Sequence, residues 1–198
     1  MSDVTRRAVL RGLAAAAVAA SRLDVLAGQE VHRMVTEQAS ATGSAYQPKA
    51  LNSHQYATLD CLTDLIIPAD GASPGARAAG AAAWIDMLAG ENAQLLSIYV
   101  GGLRALDEEM TRRTTRTFID ASEADRKSLL DAIAFKKNQR SELASVATFF
   151  DWARRMTLDA FYTSKVGIAV IGYKGNLALS EFRVPQDVMD YVNKRSAI

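Results

Sequence analysis

The stretch Asn52–Pro68, NSHQYATLDCLTDLIIP, sets its apolar residues at helical spacing. Tyr56, Leu59, Leu62 and Ile66 fall three or four positions apart, which lines them along one face of a helix. Asn52 or Ser53 can cap its start, and Pro68 stops it. PADGASPGARAAG follows, whose Asp-Gly and Pro-Gly pairs mark tight turns. A helix, a fixed turn and then renewed helical patterning predict an all-α domain.

Working outward, the pattern holds. Residues 81–89 read as a short helix closed by Gly90, followed by a longer one with Leu95, Ile98, Tyr99, Leu103, Leu106 and Met110 on one side. Ser122 with Asp125 three residues on resembles a capping box. Residues 141–162 form a further amphipathic segment with Leu143, Val146, Phe149, Phe150, Ala153, Met156 and Ala160 inward, and Pro185 opens a last short helix. We therefore expect a compact single-domain helical bundle over residues 51–198, preceded by a polar tether at 28–50 with too few apolar residues to fold alone.

One segment departs from this pattern. KVGIAVIGYKGN, Lys165–Asn176, combines three glycines with Val166, Ile168, Val170 and Ile171, which predicts an extended chain. Its backbone groups need partners, either in a hairpin turned at Gly175-Asn176 or on the surface of another chain.

The first 27 residues read as an export signal. Arg6, Arg7 and Arg11 form a basic head, and Gly12–Ala20 a weakly apolar middle too short to span a membrane. Paired Arg6-Arg7 followed by Leu10 has the twin-arginine arrangement, the route that exports folded proteins. Cleavage fits after Ala27 or after Ala19. The expected location is the bacterial periplasm.

Composition excludes several classes. Residues 1–27 hold four of the 23 basic and two of the 22 acidic side chains, so the remainder carries 19 against 20. A nucleic-acid binder would show a basic excess. Cys61 is the single cysteine, which removes internal disulfides, CxxC metal sites and CxxCH haem attachment. It is either a buried helical thiol or a link to another chain. His32 and His54 have no metal-ligand partner at helical spacing, and no GxSxG, HExxH or GxGxxG pattern occurs. Asp60, Asp64 and Asp70 could be drawn as a carboxylate set, but Asp60 and Asp64 are more simply a solvated helix face.

LDCLTDLIIPADGASPGARAAGAAAWID (59–86) and FYTSKVGIAVIGYKGNLALSEF (161–182) resemble the two signatures of the gluconate 2-dehydrogenase subunit 3 family. The most specific pieces are Ile66–Asp70 and Gly172–Asn176, while Gly71 stands where the family often has an acidic residue. The resemblance implies a small subunit with no redox centre or cofactor of its own. It implies as partner a large FAD subunit of the glucose-methanol-choline type, which lacks its own signal and is escorted by this one. In some members a membrane-anchored multihaem cytochrome c joins the complex. Pro68, Asp70, Pro74 and Gly75 are then expected to shape a structural loop. Gly167, Gly172, Tyr173, Gly175 and Asn176 are expected to meet the partner. A stand-alone periplasmic enzyme with an unrecognised carboxylate or Tyr site, and a generic helical binding module, are the competing readings.

Overall fold

The computed structural model describes residues 28–41, 45–135, 137, 140–173 and 183–195, and all regular structure among them is helical. The elements are α1 (28–41), α2 (Ser53–Ile66), α3 (Gly75–Ala78), α4 (Ala81–Glu91), α5 (Ala93–Thr114), α6 (Glu123–Ala134), a 3₁₀ turn (Ser141–Leu143), α7 (Ala144–Thr163), α8 (Lys165–Val170) and α9 (Gln186–Arg195). The all-α bundle is as expected.

Helix α7 is the hub, packed against α4, α5, α6 and α8. Val146, Phe149, Phe150, Ala153 and Ala160 are buried on its inner face, while Met156 is only partly buried. Helix α5 comes close enough that a Cβ on Gly102 would lie 2.0 Å from the Phe149 ring. Tyr99 meets the same ring edge-on, centroids 5.7 Å apart. Leu59 and Leu62 of α2 are fully buried in this core.

The helix ends follow from local chemistry. Asn52 caps α2 in a reciprocal box with Gln55, and Ser122 accepts from the Asp125 amide at the start of α6. Asn92 ends α4 and caps α5 at once, so α4 runs past Gly90, where closure was expected. Thr115 ends α5 at φ 65°, in the left-handed region.

Two expectations are corrected. The supposed tether at 28–50 is mostly helix α1, whose Val31 is buried with Met34 and Val35 packed beside it. Three apolar residues at helical spacing are too few to fold alone, but they suffice once a core exists to receive them. Beyond α1, residues 46–51 are pinned by the buried Asp86 carboxylate. It accepts from Tyr46 Oη (2.8 Å) and from the amides of Lys49 (2.7 Å), Ala50 (3.2 Å) and Leu51 (2.8 Å).

The second correction concerns 165–170, which is helical rather than extended. Ser164 caps α8, accepting from the Gly167 amide at 2.9 Å. Gly172, at φ 64°, closes it with its amide on the Ala169 carbonyl (3.1 Å) and the Tyr173 amide on Ile168 (3.2 Å). This pair of bonds around a left-handed glycine is a helix stop. Gly172 is helix punctuation and Gly167 a point of close approach to Phe161, features that a composition-based reading mistakes for strand.

Candidate partner interface

The loop after α2 is built around Gly75. At φ 77° a Cβ there would lie 2.6 Å from the Ala69 amide nitrogen and 2.9 Å from the Pro68 carbonyl carbon. Only glycine fits, because both the left-handed backbone and the close approach exclude a side chain. The Ala76 amide then bonds the Ile67 carbonyl at 2.8 Å and closes the loop. Asp70 Oδ1 accepts from the amides of Ala72 (2.8 Å) and Ser73 (2.7 Å), an Asx turn that sets the loop's tip. Pro68 and Pro74 frame it, both exposed. Arg77 ties α3 back to α2, its Nε to Asp60 (2.9 Å) and its Nη1 to Asp64 (3.1 Å). The two aspartates are thus clamped to a guanidinium, not merely solvated. Cys61, between them in sequence, is half-buried, and burial pushes its thiol pKa upward.

The residues expected at a partner surface divide. Gly167 is buried within the chain: a Cβ there would fall 2.0 Å from the Phe161 carbonyl oxygen, so it serves the α7–α8 corner. Gly172 shapes the helix stop, and Tyr173 beyond it is 58 % exposed. Gly175 and Asn176 lie outside the described residues, as do Arg6, Arg7 and Leu10. The structure brings Tyr173 together with exposed Val170 and Ile171 at the end of α8. Tyr162, at the end of α7, is exposed as well.

Beside α8 runs a groove of about 770 Å³, walled on its other side by α1. His32 and Arg33 line one wall and Thr163, Lys165, Val166 and Ile168 the other. His32 Nε2 donates to the Ala160 carbonyl at 2.8 Å, and burial, partly offset by that bond, lowers the imidazole pKa. Trp84, whose ring lies 6.0 Å from His32, donates its Nε1 hydrogen to the Gly28 carbonyl at 2.9 Å. These two bonds fasten α1 to the bundle. On another face His54 Nε2 donates to Asp107 at 2.7 Å, while the other Asp107 oxygen accepts from the Phe118 amide at 2.9 Å. That histidine bridges α2 to α5 and the loop after α5.

Sequence reasoning missed Asp86 and the α1 fastening. Asp86 had a signal: a lone carboxylate inside the apolar run AAAWIDMLA must be either buried and bonded or misplaced. The Trp84–Gly28 bond had none, since its acceptor is a backbone carbonyl. Among the described residues no group of three or more His, Cys, Asp or Glu side chains could hold a metal, and no helix is long and apolar enough to cross a membrane.

The arrangement defines a small helical bundle built tightly on its inner faces, with apolar side chains left open at the ends of α7 and α8. A family model described as gluconate 2-dehydrogenase subunit 3 matches residues 53–177, which begin with α2 and run past the end of α8. The chain belongs to that family, named for the small subunit of a dehydrogenase complex. No curated protein and no solved structure matches it.

Proposed function

We propose that this chain is the escort and assembly subunit of a periplasmic FAD-dependent sugar or sugar-acid dehydrogenase. In this reading the large flavoprotein subunit holds the FAD and performs the oxidation. The Arg6-Arg7 signal carries both folded chains through the twin-arginine route. A membrane-anchored cytochrome c is a further partner in complexes that have one.

The observation that carries the reading is the exposed apolar group Val170, Ile171 and Tyr173 at the end of the family-matched segment. Large apolar side chains gathered in one place mark an interaction surface. The inner faces, by contrast, are spent on helix packing.

The test is purification of the chain, tagged at its C-terminus, after co-expression with its flavoprotein subunit. A stoichiometric complex with flavin absorbance and dehydrogenase activity is expected. Dehydrogenase activity from this polypeptide alone would overturn the proposal in favour of a stand-alone enzyme.

A further inference from the structure

We infer that the cleft where the end of α5, helix α6 and the chain leading into α7 meet is a binding site for a small organic anion, one that bears a carboxylate or a phosphate. The inference stands independently of the escort reading. The sequence supplies the charge: between Asp131 and Glu142 lie Lys136, Lys137 and Arg140 and no acidic residue. The fold gathers Lys137 and Arg140 with Arg113, from the last turn of α5, around a cleft of about 730 Å³. Ser128 and Asp131 of α6 line it as well, so three cations and a hydroxyl share the cleft with a single carboxylate among the described residues.

Three features set this cleft apart from a solvated run of charge. First, Arg113 is held in place. Glu109, only 5 % exposed, accepts from Arg113 Nε at 2.6 Å and pairs with Arg112 as well. One buried carboxylate thus serves two guanidiniums, which leaves a positive charge uncompensated. With Nε committed, the Nη hydrogens of Arg113 have no acceptor among the described residues. Second, Lys137 and Arg140 have no carboxylate within ion-pairing distance among the described residues; Lys137 has only the Phe135 ring, 6.0 Å away. Glu142 lines an adjoining cleft that shares Arg113 and Arg140, and it pairs with neither. Third, the space falls in the range of small-molecule sites, about 300–1,000 Å³, and exceeds what a bare inorganic ion fills. The paired oxygens of a carboxylate or phosphate match a guanidinium fork, and Lys137 adds a point charge beside it. A nucleic acid does not suit a chain with 23 basic and 22 acidic residues.

The purified full-length chain is titrated in a calorimeter with sodium gluconate, a carboxylate, and with sodium phosphate, at constant ionic strength. Saturable binding of at least one is expected, and the tighter of the two names the anionic group. Arg140→Gln and Lys137→Gln, both at exposed positions outside the helix packing, should each weaken binding about tenfold or more with the thermal melt unchanged. Arg113→Lys, which keeps the charge and loses the fork, should weaken it as well. Arg104→Gln removes an equal charge elsewhere on α5, where Arg104 is exposed beside Glu108, and should bind as the wild type does. Binding of neither anion more tightly than about 10 mM would overturn the inference. So would wild-type affinity in both the Arg140→Gln and Lys137→Gln variants, or an equal loss in Arg104→Gln, which would reduce the effect to net charge.

Discussion

Asp86 sits in the middle of α4 with no exposed surface, yet its carboxylate meets three backbone amides and a tyrosine hydroxyl. Burial first, and then this carboxylate, push the Tyr46 hydroxyl pKa well above its ordinary value, so the phenol remains a donor. Asp86→Ala would leave those donors buried without an acceptor. We expect a loss of about 3 kcal/mol or more, read as a lower midpoint in urea unfolding with an unchanged slope. His32 makes a second prediction at this scale. Burial holds its folded pKa below the ordinary 6.5, so on acidification the unfolded chain takes up the proton first. The stability this gives is complete above about pH 6.5 and is lost as pH falls through the lower folded pKa. Melting curves at pH 7.5 and pH 5 should show a smaller drop for His32→Gln, whose amide can still donate to Ala160.

At the scale of elements, the glycines decide more than the apolar residues do. Gly75, in the left-handed region at φ 77°, lies against the backbone of residues 67–69. Gly75→Val should therefore cost about 3 kcal/mol, with loss of the complex following from loss of fold. Normal melting with abolished association would instead assign the loop a binding role. Thr115 gives the opposite case, a β-branched residue held at φ 65° to end α5. Thr115→Gly should raise stability by about 1 kcal/mol, measured as a higher melting temperature. Where side-chain chemistry marks an element, the sequence was legible: Asn52 and Ser122 as caps, Pro68 as a stop, and the apolar stripes of α2, α5 and α7. It was not legible where backbone closes the contact. Helix α1 is held through the Gly28 carbonyl, and α8 is closed by Gly172 bonds that composition alone presents as strand-like breakage. The loop residues Pro68, Asp70, Pro74 and Gly75 were readable as a unit because turn residues carry their own conformational preferences.

For the whole molecule, inner and outer surfaces have separate duties. The bundle needs no partner to bury Leu59, Leu103, Phe149 or Phe161, whereas Tyr173 finds no cover in the described structure. Tyr173→Ala should leave the melting temperature of the isolated chain unchanged and weaken flavoprotein association by about 2 kcal/mol. A destabilised monomer with unchanged affinity would move Tyr173 from the interface to the fold. Export is tested by replacing Arg6 and Arg7 together with lysine, which keeps charge but not the guanidinium forks. Periplasmic fractionation should then show the chain retained inside the cell. Full export of that variant would rule out the twin-arginine route. The fastening of α1 also has an optical consequence. The chain has two tryptophans, Trp84 at 5 % exposure under α1 and Trp152 at 43 % on the outer side of α7. Emission from Trp84 should be blue-shifted and shielded from acrylamide for as long as α1 stays seated, and a protonated His32 6.0 Å away should quench it. Trp152 answers to whatever covers the outside. One spectrum, decomposed by quencher access, therefore follows the seating of α1 and the covering of α7 as two separate signals, with no added label.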